Sequence, residues 1–202
     1  MTEVERLAAW RNGDVAAGEA LVEANFESVY RFFRNKVDGD LDDLVQATFA
    51  RCLERRDDAD IRAFRPYLFG VARNVLREHY RRRAKADTDL GTASVADLGA
   101  SPSTLVSQKR DHRMLLEALR QIPLDDQVVL ELFYWESMTG RELAEVLGVP
   151  EGTARTRLRS ARMSLEAALA RIVRSPDALK TTLDNLERWS ASIRDALAAD
   201  AL

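Results

Sequence analysis

Between Thr139 and Arg162 the chain reads TGRELAEVLGVPEGTARTRLRSAR, and few folds accommodate such a run. Thr139 followed three residues on by Glu142 is a capping-box start, and Leu143, Ala144 and Leu147 then recur at helical spacing. Gly148 is the residue type that stops a helix, and Pro150 suits the first turn of the next, where its missing N–H goes unneeded. Ala154 and Leu158 continue the apolar face, while Arg155, Arg157, Arg159 and Arg162 fall opposite. A short helix, a glycine turn and a basic second helix predict a helix-turn-helix, the unit that lays its second helix in a DNA major groove. It cannot bury its own apolar faces, so the chain must supply further helices against it.

Those helices are legible on both sides, and together they predict an all-α protein. Apolar residues recur at three-and-four steps in nearly every long segment, and no stretch alternates as a strand would. Met114, Leu115, Leu119 and Ile122 mark a helix ended by Pro123; Asp125 is the expected cap of the next, whose Val128, Val129, Leu132 and Phe133 face inward. With the helix-turn-helix they form a four-helix domain over residues 111–174.

The first half predicts a second helical domain, residues 1–83. A short helix over 2–12 ends at Asn12-Gly13, and Asp14 caps a long one whose buried stripe is Leu21, Val22, Phe26, Val29, Tyr30 and Phe33. Asp40 is the expected N-cap of a third helix with Leu41, Leu44, Val45, Thr48, Phe49, Cys52 and Leu53 inside. Asp42, Asp43 and Gln46 then point away, either as favourable partners of the helix dipole or as a docking face. A polar connection, Asp57 to Arg65, leads to Pro66, which opens a helix with Leu68, Val71, Ala72, Val75, Leu76 and Tyr80 inside. Arg73, Asn74, Arg77, Arg81, Arg82 and Arg83 lie outside that stripe. A basic helix after an aromatic-bearing loop is what single-stranded DNA binding needs, although cations also favour any helix C-terminus.

Between the halves, residues 84–110 are rich in Ala, Ser, Thr, Gly and Asp without a sustained period and predict a flexible linker. After Arg174, Ser175-Pro176-Asp177 starts an amphipathic extension over 175–202 with Leu179, Leu183, Leu186, Ile193 and Leu197 on one side, either packed as extra core or acting as a regulatory tail.

The net charge of −3 does not exclude nucleic acid, because the charges are segregated along the chain. No apolar run reaches the ~20 residues of a membrane span, the N-terminus is charged throughout, and Cys52 stands alone. A reducing cytoplasm is the expected location. Two histidines and one cysteine make a zinc site improbable, and no nucleophile or phosphate-cradling loop predicts an enzyme, so neither cofactor nor metal is expected.

DLDDLVQATF at 40–49, FRPYLFGVARNVLREHYRRR at 64–83 and LRQIPLDDQVVLELFYWESMTGRELAEVLGVPEGTARTRLRSAR at 119–162, with the linker between, resemble a bacterial RNA polymerase sigma factor of the extracytoplasmic-function (ECF) type. The resemblance spans about residues 5–172. It implies that Asp42, Asp43 and Gln46 meet the β′ clamp helices of core RNA polymerase. It implies that the loop bearing Asp58 and Phe64, with Arg65, Arg73, Asn74, Arg77 and Arg81, holds the non-template strand at the minus-ten element. Arg155, Thr156, Arg157, Arg159 and Arg162 would read the minus-thirty-five element as duplex, near the β flap. The linker, with Asp87, Asp89 and Asp97, would mimic nucleic acid in the RNA exit channel, and an anti-sigma factor would be a further partner. Tyr67, Ala154 and Ser160 depart from the usual Trp, Val and Arg. Two alternatives remain at this stage: a helix-turn-helix regulator of duplex operators, and an interaction protein that reads no promoter. In the first case the acidic face has no use, and in the second the arginines have none. A closed form of the two domains would hide either the acidic face or the basic helix.

Overall fold

The computed structural model describes residues 1–55, 61–83, 92–98 and 110–172. The described regular structure is helical: α1 (Glu3–Arg11), α2 (Val15–Arg34), α3 (Leu41–Glu54), α4 (Phe64–Arg83), α5 (Arg110–Arg120), α6 (Leu124–Tyr134), α7 (Gly140–Leu147) and α8 (Glu151–Ile172). None of the described helices is long and apolar enough to cross a membrane. Asp58, Asp87, Asp89 and the expected extension over 175–202 lie outside the described residues.

Local chemistry sets most of the helix ends. Thr2 and Glu5 form a capping box at α1, and the Asp14 carboxylate accepts the Ala17 N–H at 3.1 Å, starting α2 where expected. Asp40 behaves differently. Its backbone is left-handed (φ 51°), its side chain caps nothing, and Oδ2 instead accepts from Arg83 at 3.2 Å. Asp125 also fails as a cap. Pro123 holds the N-cap position of α6, and the carboxylate of Asp125, the second residue of that helix, reaches across to α4.

α1 to α4 pack together, with α2 and α4 central: Leu21, Phe33, Leu68, Phe69 and Leu76 are at most 1% exposed. Gly18 lets α1 approach, since a Cβ there would stand 2.4 Å from Trp10 Cδ1. The buried line of α2 is rotated from the expected stripe. Asn25 and Phe32 are inside, whereas Phe26, at 47% exposure, faces out beside Leu53, at 51%. These two side chains help line an open trough of about 640 Å³ with Trp10, Val15 and Val22, along which Glu19, Glu23 and Glu27 are ranged.

α5 to α8 form the expected four-helix unit around Leu115, Leu124, Leu143 and Leu165. Part of the linker joins it. Val95 is fully buried, Ser94 bridges to Pro123, and the Leu124 and Ala96 N–H groups bond Ala93 and Arg120 carbonyls, so residues 92–98 are tied down rather than free. Val95 and the partly buried Leu98 supply the apolar contacts of that segment.

The two halves are in contact. α4 packs on α7, close enough that a Cβ on Gly70 would sit 3.6 Å from the Val146 carbonyl oxygen, and the buried apolar side chains form one cluster through both halves. At the centre the Lys36 ammonium, fully buried, donates to Glu131 Oε2 and to the Phe32 carbonyl at 2.6 Å, and lies 4.2 Å from the Phe32 ring centre. Burial pushes the Lys36 pKa down, against the pull of Glu131. Glu131 Oε1 also accepts from Asn35 at 3.2 Å and Gln127 at 2.7 Å.

Candidate nucleic-acid interface

Three surfaces hold the residues singled out in the sequence. On α3, Asp42, Asp43 and Gln46 are all exposed, as their spacing requires, since Leu44, Val45 and Thr48 take the inner face. The closed arrangement of the halves leaves this acidic face open.

The second surface is the basic side of α4, and here the closed arrangement intrudes. Arg73 Nη2 donates to Asp125 Oδ1 at 3.1 Å and Arg77 Nη1 to Asp125 Oδ2 at 2.6 Å. Arg65 Nη1 donates to the Glu136 carbonyl at 2.6 Å and Nη2 to Glu136 Oε2 at 2.5 Å; Arg31 takes the other carboxylate oxygen at 2.8 Å. Asn74 and Arg81 remain exposed. Phe64 is 1% exposed, edge-on to Trp10 with ring centres 5.8 Å apart, so no base can stack on it in this arrangement. Its role here is to hold α1 against α4. Glu131 and Glu136 were not singled out in the sequence, and the signal for them is a pair of carboxylates inside the otherwise apolar run VVLELFYWE.

The third surface is α8, the second helix of the helix-turn-helix. Thr139 Oγ1 accepts the Glu142 N–H at 3.3 Å and the Glu142 carboxylate accepts the Thr139 N–H at 2.8 Å, so the capping box forms as read. Gly148 ends α7 at φ 63°, where a side chain would be strained. Ala154 is fully buried and Leu158 9% exposed, which turns Arg155, Thr156, Arg157, Arg159 and Arg162 to solvent. They are not equally available. Arg155 Nη2 is held by Glu151 at 2.6 Å, and the Arg162 guanidinium lies 5.3 Å and 5.4 Å from the Phe133 and Tyr134 ring centres. Arg157 and Arg159 project freely. Ala154, which departs from the usual valine, is fully buried on the inner face of α8.

Comparison with known proteins places these surfaces in context. The family model "Sigma-70 region 2" matches residues 21–86, which carry the α3 and α4 surfaces, and "Sigma-70, region 4" matches residues 112–165, which carry the helix-turn-helix. The chain is 33% identical over 138 residues to the RNA polymerase sigma factor HrpL of Pseudomonas syringae pv. syringae, covering 63% of this chain and 72% of that one. It is 27% identical over 170 residues to the ECF RNA polymerase sigma factor SigL of Mycobacterium tuberculosis, covering 78% and 94%. It is 31% identical over 134 residues to the probable RNA polymerase sigma factor RfaY of Xanthomonas campestris pv. campestris, covering 63% of this chain but 34% of that protein's length. The solved structure of CnrH in complex with the cytosolic domain of CnrY superposes with a TM-score of 0.61 at 25% identity, covering 83% of this chain and 96% of that one. With both family regions matched in order on the helices described above, the chain belongs to the sigma-70 family of RNA polymerase sigma factors, in its ECF branch.

Proposed function

We propose that this chain is a cytoplasmic initiation factor that docks on core RNA polymerase and directs it to specific promoters, doing no bond-making chemistry itself. Residues 1–83 and 111–174 are its two working modules, and 175–202 an appended extension. Asp42, Asp43 and Gln46 meet basic residues of the β′ clamp helices. The second module docks near the β flap and reads the minus-thirty-five element as duplex through α8. Arg157 and Arg159, which no partner among the described residues holds, are the foremost base or phosphate contacts; Arg155, Thr156 and Arg162 flank them. Arg65, Arg73, Asn74, Arg77 and Arg81, with Asp58 in the preceding loop, hold the separated non-template strand at the minus-ten element, offsetting the few kcal/mol that unstacking each base costs. The likeness to CnrH, solved with the cytosolic domain of CnrY, leaves a place for an anti-sigma partner that sequesters this chain in turn.

The observation that carries this reading is the coexistence of an exposed acidic helix face on α3 with a solvent-facing arginine row on the helix-turn-helix. A regulator of duplex operators has no use for the former. Reconstitution with purified core polymerase on a promoter library tests it: initiation at a defined set of promoters is expected only when this chain is present, and its loss on Asp42→Arg/Asp43→Arg without loss of fold. Initiation that is indifferent to the chain would refute it.

A further inference from the structure

The side chains that α8 turns to solvent are not restrained alike, and one of them has an acidic partner at the very start of the helix. Glu151 is the first residue of α8 and the acidic residue of its first turn. Its Oε1 accepts from Arg155 Nη2 at 2.6 Å, with the two side chains 44% and 72% exposed. A glutamate four residues before an arginine is the favourable order for such a pair on a helix. The arginine stem is fixed from a second side. It lies along Gly140, the first residue of α7, where a Cβ would stand 3.6 Å from both Arg155 Cγ and Nε and 3.7 Å from Glu151 Oε1. Arg157 and Arg159 have no such restraint among the described residues, and Arg162 is held by aromatic rings rather than by a carboxylate.

Stability does not account for the pair. An ion pair this exposed contributes little to folding. A carboxylate in the first turn does favour the helix dipole, but an aspartate would serve that purpose equally. On a helix entering a major groove, a carboxylate also stands among phosphates and weakens binding to every sequence. What it supplies is direction. The first turn of a recognition helix is the part that meets base edges. A guanidinium with one Nη2 proton already on a carboxylate presents its remaining N–H groups in a fixed direction, and guanine, with O6 and N7 side by side in the major groove, is the base that matches them. The same restraint keeps the guanidinium from swinging to a phosphate, which any sequence offers. Specificity of that kind comes from lowering affinity for wrong partners as much as from raising it for the right one.

We propose that Glu151 is a positioning residue for sequence reading by α8: it holds Arg155 against Gly140 as the guanine-reading side chain of the minus-thirty-five duplex, and its loss frees Arg155 to contact phosphate instead. This assignment rests on the function proposed above. It adds Glu151 and Gly140 to the residues of that surface, and it makes one position of the preferred sequence a G·C pair.

Holoenzyme reconstituted from core polymerase and the full-length chain is given a promoter library randomised across the minus-thirty-five element, and transcript counts report the base preference at each position. Wild type is expected to prefer a G·C pair at one position, a preference that Arg155→Ala erases. Glu151→Asp keeps the charge at the start of α8 but is one methylene shorter, so it cannot hold Arg155 in this place. It should relax preference at that same position about tenfold, leave the other positions unchanged and melt at the same temperature as wild type. Glu151→Gln also removes the charge, so its output should rise on mismatched sequences while the same position relaxes. An unchanged profile for Glu151→Asp overturns the assignment, as does relaxation at a position other than the one Arg155→Ala erases, or a wild-type profile with no G·C preference that depends on Arg155. An even loss at all positions with a lowered melting temperature overturns it too, leaving Glu151 only the start of a helix. Absence of initiation by the wild-type holoenzyme on the whole library overturns the function proposed above, and this assignment with it.

Discussion

The Lys36–Glu131 pair allows the contact between the halves to be weighed directly. Lys36 is fully buried and Glu131 2% exposed, so removing either partner leaves a charge in a site that does not solvate it. Such truncations cost about 3–5 kcal/mol when the surroundings cannot rearrange, whereas replacing both partners with apolar residues is often neutral. The two ends of that range map onto this site. Lys36→Met leaves Glu131 with two amide donors, Asn35 and Gln127, and should fall near the lower figure. Glu131→Leu leaves the ammonium with a single carbonyl, that of Phe32, and its ring, and should fall near the upper. Both losses have a ceiling, because parting the halves rehydrates the stranded charge; neither variant can lose more than the free energy of docking. In a double-mutant cycle read by urea unfolding, Lys36→Met/Glu131→Leu should recover most of the loss, giving a coupling larger than either single loss. Hydrogen exchange at α4 and α7 should rise in each single variant and return in the double. Additive losses, with α4 and α7 protected throughout, would refute both the pairing and the docked arrangement.

Three further outcomes follow from local geometry. Gly18→Ala raises helix propensity by ~1 kcal/mol but drives a methyl group into Trp10, 2.4 Å from Cδ1; the net effect in thermal unfolding should be destabilisation of about 1–2 kcal/mol, absent when the same substitution is made in a Trp10→Ala background. Arg159→Ala should weaken duplex minus-thirty-five binding, whereas Arg162→Ala should also lower stability, because Arg162 stacks on Phe133 and Tyr134; anisotropy and thermal melts on both variants separate the two effects. Burial and the neighbouring Arg83 hold the His79 pKa below its ordinary 6.5. The native state therefore resists protonation there, so the stability present at neutral pH should fall as pH drops below 6.5, and His79→Gln should flatten the dependence between pH 7.5 and 5.5.

Helices were largely legible because periodicity and caps act over a few residues. The capping box at Thr139, the stop at Gly148 and the exposure of Asp42, Asp43 and Gln46 follow from neighbours within one or two turns. Errors arose where a distant partner outbid a local one. Asp40 and Asp125 are sound caps by type, yet each has a guanidinium across the fold that attracts its carboxylate more strongly than a backbone N–H does. Phe26 and Leu53 sit at helical spacing with the core, but their edges of α2 and α3 have no further helix among the described residues to cover them.

The same reasoning explains why the closed state could not be read from charge. An arginine on the solvent side of a helix is equally suited to a phosphate or to a carboxylate of its own chain, and sequence offers no distance by which to choose. The relevant clue was on the other side of the pair. Glu131 lies in an apolar run and is buried, a position that an unpaired carboxylate cannot hold, so a buried cation had to exist elsewhere; Lys36, after Phe32 and Phe33, is the one cation found with no exposure at all among the described residues. Complementary misfits of this kind, acids inside one apolar stripe and bases inside another, point to contact between domains from sequence alone. Here they would also have pointed to which functional face is hidden. The acid and base join α6 to the end of α2, and that contact brings Asp125 and Glu136 onto α4, leaving α3 uncovered.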